Sequence, residues 1–136
     1  MRRRSIAWAA AALMTAMASC AHGPGFKKVE AFPQDRALVY FYRPSAFVAG
    51  GQNYTIKLVE AELGKLQSGV YFTYLAVPGL QTFYYEGLYG YTKVDVDLAP
   101  GGTYYIRGRM KGYSMKLEQV HPIEGQVEIM ECILTQ

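Results

Sequence analysis

From Arg36 onward the chain is written in short runs of Val, Ile, Tyr, Phe and Thr divided by Gly and Pro, the spacing of an antiparallel sheet protein. Arg36 to Arg43 predicts a first strand with Leu38, Tyr40 and Tyr42 on one face and Val39 and Phe41 on the other. Both faces are apolar, which places the strand in the middle of a sheet, and Pro44, lacking an amide donor, closes it. Tyr54 to Glu60 alternates Tyr54, Ile56 and Leu58 with Thr55 and Lys57, as a half-buried strand does. A short piece follows around Lys65 to Gln67, then a largely apolar strand from Val70 to Val77 ended by Pro78-Gly79, then Leu80 to Tyr85, with Gly87 and Gly90 bracketing a turn. Thr92 to Ala99 and Thr103 to Met110 read as a hairpin about Pro100-Gly101-Gly102, because a three-residue loop needs a left-handed residue and Gly supplies it. That register sets Leu98 opposite Tyr104, Val96 opposite Ile106 and Asp95 opposite Arg107. Tyr113 to Val120 alternates Tyr113, Met115 and Leu117 with Ser114, Lys116 and Glu118, a last strand broken by His121-Pro122. Ile123, Val127 and Met130 then favour a short helix over a strand through Val127 and Ile129, with Gly125 standing against it. The expected fold is all-β, a small antiparallel β-sandwich of about seven or eight strands with a short C-terminal helix.

The amino end follows a different pattern. Met1-Arg2-Arg3-Arg4 leads into an uncharged, Ala-rich stretch from Ile6 to Met17 and then Ala18-Ser19-Cys20. Basic, apolar and small, in that order, is an export signal. Its apolar part is about twelve residues, short of the roughly twenty that cross a bilayer as a helix. Met17-Ala18-Ser19-Cys20 resembles the lipobox of bacterial lipoproteins, with Met17 where Leu is usual. The resemblance implies diacylation of the Cys20 sulfur and cleavage before it. An ordinary signal cut near Ala18 or Ser19, and a twin-arginine signal that the three arginines partly resemble, are the alternatives. The expected organisation is a signal peptide over 1–19, a lipidated flexible spacer over 20–33 carrying Gly23, Pro24, Gly25 and Pro33, and the β-sandwich domain over 34–136. Two or more acyl chains, at about 0.8 kcal/mol per buried methylene, anchor a protein where one chain does not. The expected location is the bacterial cell envelope, facing the periplasm. Ala21 rather than Asp after the cysteine points to the outer membrane by enterobacterial sorting rules.

Charge and cysteine content narrow the picture. The chain has 14 basic and 11 acidic residues, and three of the basic ones precede Cys20, so the domain is neutral and lacks the clustered Lys and Arg that nucleic-acid binding requires. With Cys20 acylated, Cys132 has no partner within the chain and reads as a buried inert thiol; a Cys20–Cys132 disulfide is the alternative. His22 lies in the spacer and His121 before a proline, so neither joins a nucleophilic or metal-binding set, and no cofactor is expected. Asp95 and Asp97 recur on one strand face and read as a solvated face paired with Lys93 and Arg107. Arg43 ends an apolar strand, where it caps a turn or binds an anion, the first being favoured.

Ala37-Leu38-Val39-Tyr40-Phe41-Tyr42-Arg43-Pro44-Ser45, Gly69-Val70-Tyr71-Phe72, Pro78-Gly79, Gly102-Thr103-Tyr104-Tyr105-Ile106-Arg107 and Glu131-Cys132 together resemble a bacterial lipoprotein family known as domain of unknown function 2846. The resemblance runs from Asp35 to Cys132. It departs at Glu60-Ala61, where an Asp-Gly hairpin is usual. It implies a small β-sandwich and lends no catalytic residue.

The compositional excess is tyrosine, twelve in all, with Tyr84, Tyr85, Tyr89 and Tyr91 crowded around two glycines. Tyrosine joins a broad apolar face to a polar tip, which suits sugar or protein recognition as well as sandwich strands. The favoured expectation is a non-catalytic, lipid-anchored module that contacts an envelope protein or glycan through Tyr85, Tyr89 and Tyr91. The alternative is a hydrolase of envelope polymers using Asp95, Asp97 or Glu86 as acid and base. Outward-pointing tyrosine rings favour the first, and two carboxylates meeting in a cleft favour the second.

Overall fold

The computed structural model describes residues 23–45, 51–88 and 90–135, so the expected lipidation site Cys20 and the expected contact residue Tyr89 lie outside the described residues. The strands are β1 (Ala37–Arg43), β2 (Tyr54–Leu58), β3 (Ala61–Leu66), β4 (Val70–Ala76), β5 (Gly79–Gly87), β6 (Gly90–Leu98), β7 (Thr103–Lys111) and β8 (Ser114–Val120). Helix α1 (Pro122–Glu128), a 3-10 turn (Ile129–Glu131) and a short β9 (Ile133–Leu134) follow. They form two sheets, one ordered β8-β7-β1-β4-β9 and the other β3-β2-β5-β6. The all-β sandwich with a short C-terminal helix is the architecture expected from the sequence.

β1 is the central strand of the larger sheet, and all seven of its residues are buried. Its two apolar faces feed two cores. Ala37, Val39 and Phe41 point between the sheets, where they meet Ile56, Phe72, Phe83, Val96 and Ile106. Leu38, Tyr40 and Tyr42 point outward into a second core with Tyr71, Tyr105, Ile129 and Cys132.

The hairpin expected about Pro100-Gly101-Gly102 is not formed. β6 pairs antiparallel with β5, whereas β7 pairs parallel with β1 and antiparallel with β8. The loop carries the chain from one sheet to the other. Gly101, at φ 73°, donates its amide to Arg36 O at 2.8 Å, and Leu38 donates to Gly102 O at 2.9 Å. Val96 and Ile106 still share a core, but they face each other across the sandwich rather than along a ladder. Asp95 is accordingly parted from Arg107: it lies opposite Thr82, whose hydroxyl donates to it at 2.6 Å. The parallel β1–β7 and β4–β9 pairs make the larger sheet mixed.

A second correction concerns residues 24–32, expected to belong to a flexible spacer. Phe26 packs edge-on against Tyr40 and Tyr71, with ring centroids 5.7 and 5.2 Å away. The Val29 amide donates to the Tyr40 hydroxyl at 2.8 Å and the Lys27 amide to that of Tyr71 at 3.2 Å. The outer face of the larger sheet presents tyrosines that need both an apolar cover and a hydrogen-bond partner when buried, and this segment supplies both. The ordered domain therefore begins ahead of Gln34.

Helix α1 covers the neighbouring part of the same face. His121 Nδ1 accepts the Ile123 amide at 3.3 Å and Pro122 occupies the first turn. Gly125 is the residue that lets the helix seat, because a Cβ there would lie 2.4 Å from Tyr105 Cγ. Ile123, Val127 and Met130, which predicted the helix, face solvent, while Gly125 and Ile129 face the sheet.

Candidate functional site

The end of the sandwich at which β1 finishes carries a cleft. Arg43, the last residue of β1, is 1 % exposed and donates through Nη1 to Gln52 O at 3.0 Å. Its guanidinium lies 5.0 Å from the centroid of the Tyr54 ring. Desolvation by burial pulls Arg43 below the ordinary arginine range and pushes the Tyr54 hydroxyl up, the nearby guanidinium opposing the latter. Tyr54 donates to Gln52 Oε1 at 2.7 Å and meets Tyr85 edge to face at 5.0 Å. Tyr85 in turn donates to Met115 O at 2.6 Å. A buried row of Arg43, Tyr54 and Tyr85 thus ties β1, β2, β5 and β8 together and forms a rigid floor.

Above this floor lies a half-open cleft of about 460 Å³ lined by Tyr54, Tyr85, Tyr91 and Tyr113 together with Gln52, Asn53, Glu86, Leu88, Ser114 and Lys116. Tyr91 leans against Tyr84, with centroids 5.1 Å apart and planes at 33°. The wall is therefore aromatic, while its edges offer amide, carboxylate, hydroxyl and ammonium groups. Such a mixture recognises a ligand with flat apolar faces and a ring of hydroxyl or amide groups.

Of the residues expected to make contact, Tyr91 stands on the rim and is 56 % exposed. Tyr85 corrects the expectation of an outward ring: it is 3 % exposed, sharing the inward face of β5 with Phe83, and lines the cleft only as part of its floor. Tyr54 and Tyr113 join the site without having been expected there. Tyr113 was expected to open the last strand in step with Met115 and Leu117, but Gly112, at φ 64°, turns the chain just before it, the strand begins at Ser114, and Tyr113 is left 85 % exposed. The turn glycine was the available signal.

The three carboxylates of the hydrolase reading are not brought together. Glu86 lines the cleft, opposite Tyr91. Asp95 lies opposite Thr82, four residues or about 13 Å further along β5, and pairs with Lys93 at 3.7 Å. Asp97 lies beyond it, opposite Leu80. Among the described residues no group of three His, Cys, Asp or Glu side chains is placed to hold a metal ion.

A second charged cluster lies on the outer face of the larger sheet. Arg107 Nη1 donates to Glu124 and Glu128 at 2.8 and 2.7 Å, and Nη2 donates to Glu118 at 2.9 Å. Burial opposes the charge, but the carboxylates outweigh it and hold Arg107 above its ordinary range, while the Arg107 and Lys111 hydrogen bonds hold Glu118 below the usual carboxylate range. Two of the acids come from α1 and one from β8, so the cluster clamps the helix to the sheet. Cys132 is buried, its thiol pushed up to about 11 chiefly by desolvation.

A sequence model of the family described as protein of unknown function (DUF2846) matches residues 33–123, from just before β1 into the first turn of α1. No curated protein matches the chain. The matched segment contains the whole cleft and leaves out both Phe26, which packs against the outer core, and β9, which edges the larger sheet.

Proposed function

The chain belongs to the DUF2846 family, and from that premise we propose that it is a non-catalytic binding module of the bacterial envelope, tethered by lipid on Cys20, whose tyrosine-lined cleft holds an envelope glycan. The observation that carries this reading is the cleft itself: aromatic walls on a floor fixed by Arg43, Tyr54 and Tyr85, edged by Gln52, Asn53, Glu86 and Lys116. Sugar rings combine apolar faces with hydroxyl edges, and this wall matches both. A preformed floor also limits the ordering cost of binding. What supports binding over a hydrolase with paired carboxylates is the separation of Glu86 from Asp95 and Asp97. What supports the tether is the lipobox-like Met17-Ala18-Ser19-Cys20.

The test is a titration of the folded domain with soluble glycan fragments released from bacterial envelopes, followed by NMR. Saturable shifts confined to the cleft, weakened at least about tenfold by Tyr91→Ala combined with Tyr113→Ala, are expected; that factor is about 1.4 kcal/mol. Unchanged spectra at millimolar fragment would refute the glycan reading. Both rings are exposed, so the double variant keeps the core intact.

A further inference from the structure

Ile123, Val127 and Met130 form an apolar stripe that no described residue covers. Gly125 and Ile129 turn to the larger sheet, and the stripe points the other way, its three residues 69, 66 and 70 % exposed. Contiguous exposed apolar side chains mark a surface that meets a partner or a membrane. The amino end of the domain lies beside this one. Gly25 bridges to Ile133, and Gly23 packs so closely on Ile133 that a Cβ there would come within 3.1 Å of its side chain. Three residues take the chain from Gly23 back to Cys20, and three take it from Ile133 back to Met130, each a reach of at most about 10 Å. Whichever way the residues before Gly23 run, Cys20 stays near the β9 edge, from which the stripe also starts.

Charge on the same side of the molecule fits a lipid surface. Tyr105 and Arg107 of β7, with Glu118 and Val120 of β8, turn to the outer face of the larger sheet, and alternation puts Arg109 and Lys116 there too. Both are exposed and directly opposed, a like-charge pairing that weakens a sheet unless an anion lies over it. The acids nearby do not serve: Glu118, Glu124 and Glu128 converge on Arg107, Glu118 also holds Lys111, and Glu131 follows Met130 in the 3-10 turn. At the β9 edge Lys27 and Lys28, with Glu30, line a shallow recess beside Leu134. Anionic headgroups supply the layer that Arg109 and Lys116 call for. The outer face of the smaller sheet, by contrast, mixes Lys93 with Asp95 and Asp97 and has no such pairing.

We propose that the roof over the larger sheet rests on the membrane that carries the anchor, with Ile123, Val127 and Met130 at the acyl boundary and Arg109 and Lys116 over anionic headgroups. The inference rests on the reading of Cys20 as the anchor point. A helix lying in the membrane interface buries its apolar face in this way, and a lipid tether beside it supplies the second attachment. The cleft opens at an end of the sandwich rather than through the roof, so it stays accessible in this orientation.

The test uses the chain from Cys20 onward, which contains every contact described above, coupled through the Cys20 thiol to a maleimide lipid in vesicles of phosphatidylethanolamine and phosphatidylglycerol. Cys132 stays unreacted because it is buried. This chain has no tryptophan, since the single one, Trp8, precedes Cys20. Val127→Trp and Met130→Trp on the roof, Leu88→Trp at the cleft end and Leu80→Trp at the other end of β5 each install one reporter at an exposed position. Brominated lipid is expected to quench the reporters at 127 and 130 several-fold more than those at 88 and 80. Adding Arg109→Gln and Lys116→Gln is expected to reduce that difference, and an unchanged difference overturns the headgroup contact. Equal quenching at all four positions, none at any, or the strongest at 88 or 80 overturns the proposal. Because the tether is made chemically, the result does not depend on acylation in cells, which mass spectrometry of Cys20 from bacterial membranes decides separately.

Discussion

Gly125 occupies a helical position where propensity alone favours alanine by about 1 kcal/mol. A methyl group there would sit 2.4 Å from Tyr105 Cγ, and Tyr105 is itself buried and stacked on Tyr40 at 5.0 Å. The ring has nowhere to retreat, so the helix would have to lift from the sheet. Gly125→Ala is therefore expected to cost a net 1–3 kcal/mol or so, as overpacking does, read as a lower urea midpoint with an unchanged slope. A raised midpoint would mean that the helix does not bear on the ring. In sequence Gly125 counted against the helix, because the residue that requires it lies twenty positions earlier on another element. Local pattern carries no information about such a contact. Tyr85 is the contrary case. Its parity with Phe83 was legible, and it marks Tyr85 as an inward residue of β5 despite the crowd of tyrosines around it. That crowding nevertheless pointed to the right end of the molecule.

At the level of elements, alternation identified most strands and the burial of β1 on both faces, since each depends on which residues avoid water. It did not identify partners. β6 and β7 both turn apolar residues inward, and that holds whether they lie side by side or face each other across the core. The connection decides, and Pro100-Gly101-Gly102 served a crossing between sheets where a hairpin had been expected. Cysteine pairs distinguish the two arrangements. Thr82→Cys with Asp95→Cys places two thiols on directly opposed residues of β5 and β6, within disulfide reach, and the pair should close under mild oxidation. Asp95→Cys with Arg107→Cys places them on the outer faces of different sheets, about 10 Å or more apart, and should stay reduced. Closure of the second pair and not the first would restore the hairpin. The short β9 was not legible at all: two residues held by β4 and by Gly25 have no periodicity to display.

For the molecule as a whole, the two faces of the larger sheet have different fates. One packs on the smaller sheet, and the other is roofed by α1, the 3-10 turn and residues 26–32. Composition favoured reading the Gly- and Pro-containing segment before Gln34 as a tether, because such residues serve linkers and irregular cover strands alike. What separates the two uses is the presence of Phe26, Val29 and Phe32 over a sheet face whose tyrosines would otherwise meet water. If the roof is part of the fold, removing residues 23–32 exposes the rings of Tyr40 and Tyr71 and strips their hydroxyls of the Val29 and Lys27 amides. Partial burial of three large side chains contributes on the order of 1–2 kcal/mol each, offset in part by the cost of ordering the segment, so a loss of about 2–4 kcal/mol is expected. Urea unfolding of the shortened chain should show a lower midpoint and a smaller slope, since less surface remains to be exposed, and the native state should newly bind a dye specific for apolar surface. A spacer would leave all three quantities unchanged.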